Sequence, residues 1–164
     1  MVIKSRREFL ARLVAVDYDS ALSLSESLKI DKDFVNIQKV VNFYENGDDL
    51  KGEQMAISIS SRQMLCSELL QISRKRFAIL IQEKSAAPGY KEAISCIPPD
   101  IHDWALKSIS GSNSILHPSK HDSMHRLNQL LNLLERLSPQ ENGKMEEHDK
   151  VYKMMRSLQN FPKS

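Results

Sequence analysis

Ser119–Leu137, SKHDSMHRLNQLLNLLERL, decides the fold class of this chain. Met124, Leu127, Leu130, Leu131, Leu134 and Leu137 recur every three or four residues, which lays them along one stripe of an α-helix with polar residues opposite. Ser119-Lys120-His121-Asp122 offers a capping pattern just before that stripe, where the first turn of a helix leaves backbone N–H groups without intrahelical partners.

Outward from this segment the same period repeats. Upstream, Ile101, Trp104, Ala105 and Ile109 fall on one face of a helix over 100–109, begun after Pro98-Pro99 and closed by Gly111. A short helix over 90–97 precedes it. A long one over 61–84 carries Met64, Leu65, Leu69, Ile72, Leu80 and Ile81, is interrupted by Arg74-Lys75-Arg76, and ends at Ala87-Pro88-Gly89. Met55–Ile59 alternates like a strand but has no hairpin partner, so it reads as the front of that long helix. Nearer the amino end, Ser5-Arg6-Arg7-Glu8 caps a helix with Phe9, Leu10, Leu13, Val14 and Val16. Asp19 or Ser20 caps a second, and Asp31 caps a third that runs to Gly47. Downstream of a break at 139–143, a last helix covers about 144–161. The expectation is an all-α domain of 164 residues, with an N-terminal helical extension over 1–60, a core over 61–137 and a C-terminal helix over 138–164.

Composition narrows the function classes. Hydrophobic residues at 41% and charged residues at 27% suit a folded globular protein rather than a disordered one. A net charge of +2, from 23 basic and 21 acidic residues, creates no global field for nucleic acid or anionic lipid, so any such binding needs a local patch. Cys66 and Cys96 lack paired spacing, which argues against a disulfide framework or zinc site and fits a reducing cytoplasm. Arg12 and Asp17 interrupt the apolar run near the amino end before it reaches signal-peptide length, and no segment approaches a membrane span.

The stretch Gly111-Ser112-Asn113-Ser114-Ile115-Leu116-His117-Pro118 is where chemistry is expected. A polar turn that delivers an imidazole to a helix N-terminus can offer ring and backbone donors to a phosphate or a partner's carboxylate. The plainer reading is a turn histidine that bonds locally and helps to cap the next helix, with Asn113 as an ordinary turn residue. His117, His121 and His125 are spaced by four, but Pro118 places His117 before the helix and no further ligand completes a tetrahedral set; no metal or other cofactor is expected. Arg74 and Arg76 could grip phosphate, whereas a basic triplet spread over about two-thirds of a helix circumference reads more simply as a solvated face. Trp104 and Phe77 fall where core packing calls for large apolar side chains.

Pro98-Pro99-Asp100-Ile101-His102-Asp103-Trp104-Ala105, then Ser112-Asn113-x-x-x-His117-Pro118, then the leucine helix, resembles the latter half of HEPN domains over about residues 61–137. The resemblance implies a four-helix bundle whose motif, Arg-Asn-x-x-x-His in that superfamily, reads Ser-Asn-x-x-x-His here. It implies a ligand site of Ser112, Asn113, His117 and Lys120, with Arg74 and Arg76 as further cationic candidates. A serine in place of the motif arginine removes a planar fork of donors for phosphate. The expectation is therefore a non-catalytic or weakly active module that binds nucleotide, RNA or a protein partner. One alternative is a metal-independent endoribonuclease of toxin or defence type that uses His117 as its acid or base. The other is a helical adaptor without ligand chemistry. Leu133, off the main stripe, suggests surplus apolar surface for a homodimer.

Overall fold

A computed structural model describes residues 2–110, 123–138 and 145–162. Among the described residues there are nine helices and no strand, so the fold is all-α. The chain divides into two compact units, Met1–Glu68 and Leu69–Ser164.

In the first unit, α1 (Val2–Val16), α2 (Tyr18–Ser27) and α3 (Lys32–Glu45) pack against one another, and α3 packs most extensively on α4 (Asp49–Ile57). Leu10, Val14, Ala21 and Val35 form the fully buried centre, with Leu13, Leu22, Leu24 and Phe34 packed around it. Each turn has a local cause. Asp17 caps α2, accepting from the Ser20 amide at 3.1 Å and the Ser20 hydroxyl at 2.6 Å. Asp31 caps α3 by accepting from the Asp33 amide at 2.9 Å. Gly47, at φ +86°, closes α3: the Asp48 amide donates to the Phe43 carbonyl at 2.8 Å and the Gly47 amide to the Tyr44 carbonyl at 3.2 Å. The Tyr18 hydroxyl donates to Asn36 Oδ1, tying α2 to α3.

The segment 55–59 is not a strand, but Met55–Ile57 closes α4 instead of opening the long helix. Gly52, a helix-interior glycine buried where the Tyr44 ring crosses it, seats α4 on α3. At the entrance of α5 (Arg62–Ser85), Asp33 Oδ2 accepts from the Ser61 amide at 3.0 Å and the Ser61 hydroxyl at 2.8 Å. Arg62 reaches back to the carbonyls of Ile59 (2.9 Å) and Ile57 (3.2 Å), satisfying acceptors left open at the end of α4.

The second unit contains most of α5, then α6 (Lys91–Ser95), α7 (Pro99–Lys107), α8 (Ser123–Leu137) and α9 (Met145–Gln159). α9 packs against both α7 and α8. Phe77, Leu80, Ile101, Ala105, Leu127, Leu131, Met154 and Leu158 are buried. Tyr90 and Phe161 meet edge to face, ring centroids 5.9 Å apart, which anchors the chain after α9 beside the start of α6. Leu133 is only 2% exposed. The apolar surface on which the expected homodimer rested is thus covered within the chain, because α8 buries more than one stripe of its circumference.

Candidate interaction surface

The residues expected to form a ligand site fall into two groups. Ser112, Asn113, His117 and Lys120 lie outside the described residues. Arg74 and Arg76 are on α5, in the second unit.

Arg74 is turned onto Trp104. Its Nε donates to the Trp104 carbonyl at 2.6 Å, its guanidinium carbon lies 5.0 Å from the Trp104 ring centroid, and a longer contact of 3.4 Å reaches Gln71 Oε1. Lys150 of α9 places its ammonium 4.9 Å from the same centroid. Trp104 is half-buried, and its ring is contacted by two cations. Nearby, the Lys153 ammonium bridges Asp100 at 2.8 Å and Asp149 at 2.9 Å. Helical spacing puts Trp104 in the core but carries no sign of its cation partners, which come from α5 and α9, far apart in the chain.

The Lys153 hydrogen bond holds the Asp100 carboxyl below its ordinary pKa, and Asp100, followed by Asp149, raises the Lys153 ammonium above its own. Hydrogen bonds from the Ser20 hydroxyl and then its amide likewise lower Asp17. A lowered carboxyl contributes stability above its unfolded value, here about 3.8, and loses it as pH falls through the lower folded value; raised Lys153 contributes below 10.5 and loses that as pH climbs through its folded value. Urea midpoints measured at successively lower pH should therefore decline below about pH 4, by a small amount because these groups are solvent-exposed. Asp17→Asn with Asp100→Asn should flatten that decline; an undiminished decline in the double variant would assign it to other carboxyls.

Other surface features are sparser. A shallow depression along α2 is lined by Asp19, Ser20, Ser23, Leu24 and Ser27. Among the described residues no group of three or more His, Cys, Asp or Glu is arranged to hold a metal ion, and no helix is long and apolar enough to cross a membrane. Among the described residues, the large apolar side chains most exposed to solvent are Phe9 and Val16 on α1, Leu50 and Ile57 on α4, Met64 on α5 and Tyr152 on α9. On Tyr152 the hydroxyl accepts from Arg156 at 3.1 Å, and the remaining side chains of this set are apolar.

Residues 2–150 match the family described as the C-terminal region of the regulatory subunit of the Rab3 GTPase-activating protein. The chain belongs to that family. The match runs through the first sixty residues as well as the later helices, and it overturns the HEPN resemblance, which touched only residues 61–137. With it go the nucleotide- or RNA-binding module, the ribonuclease and the toxin or defence roles. The physical reason is that the motif is weak: a Gly/Ser/Asn turn before an amphipathic helix is a general way to start a helix, and one Asn four residues before a His recurs without shared ancestry. No solved structure matches the chain.

Proposed function

We propose that this chain is a helical protein-interaction module, part of a regulatory subunit that binds the catalytic subunit of a Rab3 GTPase-activating protein and contributes no catalytic group of its own. The observation that carries this reading is the family match across residues 2–150, which spans both compact units. The surface is consistent with it. The outward-facing residues that stand apart from an ordinary polar exterior are apolar and aromatic, of the kind that anchor protein contacts, and they sit on firmly packed helices.

The test is to mix the purified chain with the catalytic subunit and measure solution mass and Rab3 GTP hydrolysis. The expected result is a joint species at the summed mass, with GTP hydrolysis unaffected by the chain alone. Separate migration at concentrations well above micromolar, or acceleration of hydrolysis by the chain alone, would overturn the reading.

A further inference from the structure

α1 is two-faced in an unusual way. Its inner face puts Leu10 and Val14 into the fully buried centre of the first unit. Its outer face nevertheless carries Phe9, 57% exposed, and Val16, 85% exposed. These two are seven residues apart, so they lie on the same side, about 10 Å along the axis. Arg12, also exposed, falls between them, three residues after one and four before the other.

The charged residues of α1 are mostly basic. Over Val2–Val16 the sequence holds Lys4, Arg6, Arg7 and Arg12 against Glu8 alone, and the first turn holds no acidic residue. Arg6, Arg7, Glu8 and Arg12 are all exposed, with Arg7 lying over the Phe34 ring at 5.0 Å. The next acidic side chain, Asp17, is engaged with Ser20 at the start of α2. The face is thus an apolar pair with a cation between its members.

We propose that the outer face of α1, built on Phe9, Arg12 and Val16, is a docking ridge for an acidic amphipathic helix of a protein partner. This rests on the interaction-module reading and names the surface it uses. The complement of the face is a helix with apolar residues two turns apart and a carboxylate between them to meet Arg12, the i, i+3, i+7 anchoring used when helices dock. Charge complementarity selects the acidic partner. A lipid surface is disfavoured, because a helix lying in a bilayer interface needs its broad apolar face outward, and in α1 that face is already buried in the core.

The experiment uses the full chain and two synthetic helical peptides, identical in their leucines but carrying glutamate or lysine between them, with fluorescence anisotropy as the readout. Phosphatidylserine vesicles and solution mass are measured in parallel. The glutamate peptide should bind and the lysine peptide should not. Phe9→Ser with Val16→Ser should weaken binding by about tenfold or more, and Arg12→Glu should reverse the preference toward lysine. Circular dichroism establishes that the variants remain folded, as exposed positions allow. Equal binding of both peptides, peptide binding insensitive to these substitutions, binding to vesicles instead of peptide, or occupation of the face by a second copy of the chain would each overturn the proposal. If the variants bind the catalytic subunit as well as the unaltered chain does, this surface assignment alone fails. If the unaltered chain does not bind that subunit, the reading beneath it fails too.

Discussion

Phe77→Ala is expected to lower the unfolding free energy by about 3–5 kcal/mol. Phe77 is fully buried near the middle of α5, on the same face as Leu69, Ser73 and Leu80, each at most 1% exposed. Truncating the ring removes both its transfer free energy and its packing partners, and the surrounding helices relax only partly into the space left behind. Ser73 increases the sensitivity of the site. Its buried hydroxyl is satisfied within the helix by the Leu69 carbonyl at 2.9 Å, so there is no long neighbouring side chain at that position to swing into the cavity. Urea unfolding followed by circular dichroism measures the effect, and Phe77→Leu, which preserves much of the volume, should cost clearly less. A loss below about 1 kcal/mol, the scale of an ordinary surface change, would show that this face of α5 is not packed as described.

Gly52→Ala should also destabilise the protein, and here the sign carries the information. By helix propensity alone the substitution should stabilise α4 by about 0.5–1 kcal/mol. An added Cβ, however, would stand 2.7 Å from Tyr44 Cε2 and 2.9 Å from Cδ2. Tyr44 is 4% exposed and its ring is rigid, so the strain has no easy outlet except separation of α3 from α4, the most extensive helix pair in the first unit. Overpacking of this kind costs about 1–3 kcal/mol, so the net result is destabilisation. In a Tyr44→Leu background the same Gly52→Ala change should become neutral or stabilising, giving a coupling between the two positions of about 1 kcal/mol or more. Stabilisation by Gly52→Ala alone would mean that the ring does not cross the helix there.

The neighbourhood of Gly52 is also where a local reading of the sequence fails. Alternation over Met55–Ile59 and the strong helical pattern after it join these residues to α5, whereas they finish a separate helix seated on Tyr44. Nothing local distinguishes a glycine that breaks a helix from one that admits an aromatic ring. Asp31, Gly47 and Pro98-Pro99, in contrast, mark helix limits correctly, because capping and φ restriction act within a few residues of their cause. The candidate site is harder to read. Asn113 and His117 stand out by residue type and spacing, while Phe9 and Val16 read simply as members of an amphipathic helix. Their period is compatible with a face turned inward, and only the position of Leu10 and Val14 in the core turns them outward.

The order of apolar and polar residues suffices to make this protein helical and to set roughly where most of its helices begin and end, since those features depend on neighbours within a turn or two along the chain. Long-range packing fixes which side of α1 faces solvent, that Leu133 is covered, that Gly52 receives the Tyr44 ring, and that Arg74 and Lys150 converge on Trp104. Those outcomes depend on side chains from different helices arriving at the same place, where volume and charge must fit together at once.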